Sequence, residues 1–92
     1  MTKKLNGYKG NDVELCRTVS DRVGDKTAQA LLEQRIPFTR NVKRIPFFQR
    51  EKYAGATSVT IISINPHRYG QARRIIDSLD RIYKDRLVLS NY

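Results

Sequence analysis

The sequence predicts an α+β domain: an antiparallel sheet with two helices packed on one face. Three observations carry that expectation. Ser58-Val59-Thr60-Ile61-Ile62-Ser63-Ile64 is a β-branched run with apolar residues on both of its faces. Two longer segments, near residues 21–35 and 66–84, space their apolar residues by three and four. Shorter period-two runs lie before the first helical segment and between the two.

Residues 1–12 are polar and carry Lys3, Lys4, Lys9, Gly7 and Gly10. They read as a flexible basic arm ahead of a single domain over 13–92. The first strand is expected near 13–19, with Val13, Leu15 and Val19 on one face and Cys16 on the other. Ser20 and Asp21 are both good N-cap residues. Behind them Val23, Thr27, Ala30 and Leu31 form a stripe, with Ala28 and Leu32 beside it. Gly24 weakens the first turn, which leaves room for a later start capped by Asp25. Ile36-Pro37 stops the helix, because a residue before proline avoids helical backbone angles.

A second strand is expected over 38–43, with Phe38, Arg40 and Val42 on one side. Residues 44–56 contain Pro46 and Gly55 and show no period, so they read as a loop or irregular ribbon. The strand over 57–64 is apolar on both sides and belongs in the middle of the sheet. Asn65-Pro66 is a helix start. Tyr69, Ala72, Ile75, Ile76, Leu79, Ile82 and Tyr83 give the following helix one buried stripe. Its polar face offers Arg73–Asp77, Asp77–Arg81 and Asp80–Lys84 at i, i+4. Leu87-Val88-Leu89 is a candidate last strand beside the first. The order is β-α-β-β-α(-β), a ferredoxin-like layout whose second sheet face, with Glu14 and Thr60, stays partly open.

Helix and turn residues in this order resemble those of small prokaryotic signal-transducing domains. The shared features are Ala30-Leu31-Leu32-Glu33 followed by Ile36-Pro37, a hairpin, a strand, and a helix with an Ala72-Arg73 step; they span roughly residues 13–80. This chain is more basic than that family, above all between its second and third strands. The resemblance implies the fold and an adaptor-like or ligand-sensing role, and carries over no functional residue.

Composition is that of a folded domain, with 39% hydrophobic and 29% charged residues. The unusual quantity is charge: 18 Lys and Arg against nine Asp and Glu give +9. Such an excess calls for an anionic partner, either an acidic protein face or nucleic acid. The longest apolar run is far too short for a membrane span, and no signal-peptide pattern follows Met1. Cys16, the single cysteine, fits a reducing compartment, so the cytoplasm is the expected location.

Catalytic chemistry finds little support. His67 is the only histidine and has no sequence neighbour to make it a general base. Cys16 on a strand reads as a small buried hydrophobe. Asp12, Glu14, Asp21 and Asp25 follow no metal-loop spacing. There is no Walker loop and no GxGxxG, and no cofactor is expected. The expectation is therefore not an enzyme.

Residues 35–53 stand apart. Arg35, Arg40, Lys43, Arg44, Arg50 and Lys52 face one acid, Glu51, for a net +5, whereas residues 11–34 sum to −2. Phe38, Phe47, Phe48 and Tyr53 are interleaved among the cations. The candidate binding residues are Arg40, Lys43, Arg44, Phe47, Phe48, Arg50, Lys52 and Tyr53. Cations beside aromatics suit a small binding or regulatory module, including an inhibitor, that engages an acidic protein. They equally suit a nucleic-acid-binding accessory protein with little sequence specificity. The central strand carries no aromatic residue, which argues against RRM-type stacking.

Overall fold

A computed structural model describes residues 12–53 and 55–90. The arm expected over 1–12 lies outside these except for Asp12. Strand β1 (Val13–Thr18) leads to helix α1 (Asp21–Glu33) and strand β2 (Phe38–Arg44). A 3-10 helix (Phe47–Tyr53) precedes strand β3 (Ser58–Ile64). A 3-10 turn (Pro66–Arg68), helix α2 (Tyr69–Asp77), short helix α3 (Arg81–Lys84) and strand β4 (Val88–Leu89) complete the order.

The four strands form one antiparallel sheet in the order β2-β3-β1-β4. β3 is central, as its two apolar faces require: Val59, Thr60, Ile61, Ile62 and Ile64 are all buried. β4 pairs with β1, as expected for a returning last strand. One face of the sheet packs on α1 and α2. That core joins Cys16, Ile62 and Ile64 to Val23, Leu31, Ala72 and Ile76. The opposite face carries a smaller cluster of Ile45, Val59 and Ile61.

The alternation expected in β1 is broken. Glu14 pairs with Ser63 and Cys16 with Ile62, so Leu15 is an extra residue in a β-bulge. The bulge lets Leu15 and Cys16 both be fully buried instead of facing apart. Val19 falls beyond the strand and is exposed. Thr60 also departs from expectation. It pairs with Thr18 and is buried on the helical side, not on the open face.

α1 starts at Asp21, with Ser20 as its cap: Ser20 Oγ accepts from the Val23 N–H at 3.3 Å. Gly24 does not delay it. A Cβ at Gly24 would lie 3.2 Å from Arg40 Nη2 and 3.5–3.6 Å from the methyls of Thr60 and Thr18. The glycine marks close approach of helix to sheet, and the nearest obstacle is the movable end of a side chain. Gly24→Ala should therefore raise stability by about 0.5–1 kcal/mol, the gain in helix propensity, as the guanidinium shifts aside. A denaturant melt showing a loss instead would mean that Arg40 cannot move. α1 ends at Glu33, and Arg35 turns the chain at φ +58° so that buried Ile36 donates to Leu31 O.

The single helix expected over 66–84 is divided. Asn65 caps the start by accepting from the His67 N–H, but the first turn is 3-10. The α-helix stops at Asp77. Ser78 Oγ donates to Ile75 O at 2.6 Å, and Asp80 takes an extended conformation at the cap of α3. A short polar side chain that bonds the local backbone, here Ser78, competes with helix continuation. The apolar stripe therefore bends away from the core. Ile76 is fully buried, Ile75 and Leu79 are half-buried, and Ile82, expected inside, is 67% exposed. The expected ion pairs are replaced by Lys84–Asp77 and Arg81–Asp85, while Arg73 donates to the Tyr69 hydroxyl.

Candidate functional site

The basic segment between β2 and β3 is ordered secondary structure, not a loose loop. Pro46 presets the first turn, and Gln49 N–H donates to Pro46 O at 2.8 Å. Seven residues of 3-10 helix is a long run for a conformation with poor internal geometry. It persists because both ends are anchored to the sheet. Ile45 is buried, and its N–H donates to Thr57 O, extending the β2–β3 ladder. Tyr53 and Ala56 pack on the Ile45, Val59 and Ile61 cluster. Gly55, at φ +82°, turns the chain back and donates to Arg50 O.

Phe47 and Phe48 project from this mount. They are 79% and 70% exposed. Their centroids lie 5.9 Å apart with ring planes at 89°, an edge-to-face pair. Neither ring belongs to either apolar cluster.

The expected site residues separate into two groups. Lys43, Arg44, Arg50 and Lys52 form no ion pair with any described carboxylate. Lys43, Arg44 and Lys52 are exposed; Arg50 is half-buried and donates from Nε to Ile45 O, steadying the 3-10 helix. Arg40 is different, because its Nη2 lies 2.7 Å from Asp25 Oδ1 and ties β2 to α1. Tyr53 is half-buried and serves as an anchor. Lys43, Arg44, Phe47, Phe48 and Lys52 are thus exposed near one another in sequence, with Arg50 partly covered between them.

One neighbour was not legible as part of this surface. Arg17 grips Glu14 through two hydrogen bonds of 2.6 and 2.8 Å across the β1 bulge. That grip lowers the Glu14 pKa and, with help from Tyr53, raises that of Arg17. The pair neutralises itself beside Lys43, whose charge also lowers the Glu14 pKa. Strand periodicity places Glu14 on the open face, but only the bulge brings Arg17 around to it.

No family model, curated protein or solved structure matches this chain.

Other groups offer less chemistry. Burial pushes the Cys16 thiol up to about 12, and Glu14 adds to the rise. His67 is exposed, and its backbone is used in the Asn65 cap. Among the described residues no group of three His, Cys, Asp or Glu is placed to hold a metal ion. No helix among them is long and apolar enough to cross a membrane. A groove of about 220 Å³ lies between α1 and α2, lined by Lys26, Glu33, Ile75 and Leu79 among others. It belongs to the helical layer, on the side of the sheet away from the Tyr53 cluster.

Proposed function

We propose that this chain is a small non-catalytic binding or regulatory module that engages an acidic protein through the 3-10 segment. The observation that carries this reading is the exposed Phe47–Phe48 pair set among four cations without described carboxylate partners. An apolar centre with a charged rim is the usual anatomy of a protein-binding surface. The cations attract an acidic face at a distance. Burying the rings then contributes roughly 1.5–3 kcal/mol each. A rigid mount lowers the entropy lost on docking.

The runner-up partner is single-stranded nucleic acid, favoured by the net charge of +9. The ring geometry favours protein, because an edge-to-face pair leaves no parallel slot for a base between the rings. Both chain crossovers, β1 to β2 over β3 and β3 to β4 over β1, support a ferredoxin-like layout. An adaptor role of the kind implied by the signal-transducing domains agrees with this reading, as does a reducing cytoplasm for buried Cys16.

Binding to glutamate-rich peptides, with and without one central Leu or Trp, tests it across a salt series. The apolar residue should tighten binding. Phe47→Ala with Phe48→Ala should erase that gain, chiefly by faster dissociation, with stability changed by less than about 0.5 kcal/mol. Replacing Arg44, Arg50 and Lys52 with Ala should flatten the salt dependence. If the substitutions leave peptide affinity unchanged, or if single-stranded oligonucleotides outcompete every peptide, the reading fails.

A further inference from the structure

We infer that the outer edge of β2 is a docking site for an acidic, extended segment of a partner protein, added to the sheet as a fifth strand. The inference rests on the reading of the basic segment as a surface for acidic protein, and supplies the mode of recognition.

β2 ends the sheet, with β3 on one side and no described strand on the other. Ile45 N–H donates to Thr57 O, and hydrogen-bonded pairs alternate along an antiparallel ladder. Counting back through the register, Lys43, Asn41 and Thr39 turn their backbone groups toward Val59, Ile61 and Ser63 of β3. Arg40, Val42 and Arg44 therefore turn their N–H and C=O groups outward. No described group bonds to those backbone atoms.

The side chains of the same three residues also share one sheet face. Val42 is 63% exposed between two arginines, of which Arg40 is held by Asp25 and Arg44 has no described acid partner. An incoming strand would meet cation, apolar and cation in alternate positions, and Lys43 on the other face. The matching segment carries acid, β-branched apolar and acid at every second residue. A second copy does not fit. Antiparallel self-pairing centred on Val42 would set Arg40 opposite Arg44, and like charges directly opposite destabilise a ladder. The chain runs from this edge through Ile45 and Pro46 into the exposed Phe47–Phe48 pair, so one partner segment can use both. Main-chain bonds supply affinity in strand addition, and alternate side chains supply specificity.

The test uses the whole chain and a capped peptide with Glu-Glu-Val-Thr-Glu at its centre. Saturation should slow amide exchange at Arg40, Val42 and Arg44. It should leave Asn41 and Lys43, already bonded to β3, unchanged. Val42→Pro removes an outward donor and no ladder bond, so the melt should hold while affinity falls about tenfold or more. N-methylating the peptide at the residues that face β2 should abolish binding to the unaltered protein, which keeps the test valid if Val42→Pro fails to fold.

Unprotected edge amides, or an N-methylated peptide that binds as well as its parent, would overturn the inference. If Arg44, Arg50 and Lys52 matter while Val42→Pro and N-methylation do not, strand addition fails and the basic surface stands. If only oligonucleotides bind this surface, both fail.

Discussion

Ile76→Ala should destabilise the domain by about 2–5 kcal/mol, the usual range for deleting a buried aliphatic side chain. Ile76 has no exposed surface and joins α2 to the main core with Leu31, Ile62 and Ile64. The loss combines lost transfer energy with a cavity that helix and sheet close only partly. In a 92-residue domain that is a large share of a total stability of about 5–10 kcal/mol. Urea denaturation measures it. Ile82→Ala is the control. Ile82 belongs to the same apolar stripe by spacing but lies on α3 beyond the break, 67% exposed. Its loss should stay within about 0.5 kcal/mol. Equal losses at both positions would mean that the helix continues through Ser78 and buries Ile82.

The Cys16 thiol should resist alkylation in the folded protein and react fully once the chain is unfolded. It has no exposed surface, and its pKa is raised from 9.0 to about 12, chiefly by burial. At pH 8 the thiolate fraction is then about a thousandfold smaller than for a free thiol, before access is considered. Labelling with a maleimide should track global or local opening instead of thiol chemistry. The same shift has a pH consequence. A group that keeps its proton better when folded contributes stability below the unfolded pKa, and that stability is lost as pH rises. The window runs from 9.0 to about 12. Cys16→Ala should fall off less steeply with alkali than the parent. Rapid labelling at neutral pH without denaturant would contradict the burial of β1.

The order of the four strands and the position of α1 were readable from residues, whereas residues 44–56 read as a loop and not as the 3-10 helix over Phe47–Tyr53. The β-branched run in β3 could only be a strand apolar on both faces, and the Ser20 and Asn65 caps lie where their side chains predict. Three further features were not readable, two of them because they depend on distant contacts. The β1 bulge is set by pairing with β3: Leu15 and Cys16 are each compatible with either face in isolation. The break after Asp77 is local: the Ser78 side chain bonds Ile75 O and competes with an apolar stripe that itself continues to Ile82. Gly24 weakens a helix locally, yet here lies where the helix approaches Thr18, Thr60 and Arg40.

The candidate surface divides along the same line. The excess of cations over acids in residues 35–53, and the aromatics among them, are properties of the sequence alone. They settle where positive charge is concentrated, because covalent neighbours stay close in any fold. Which of those residues remain available is a tertiary outcome. Arg40 is claimed by Asp25 from α1, fifteen residues earlier, and Tyr53 by the Ile45, Val59 and Ile61 cluster. Phe47 and Phe48 are left outside because a 3-10 helix anchored at Ile45 and Tyr53 directs them away from both cores. Local pattern determines where the main strands, the first helix and the charge lie; bulges and partner choice among distant side chains are decided only when sheet and helices close on one another.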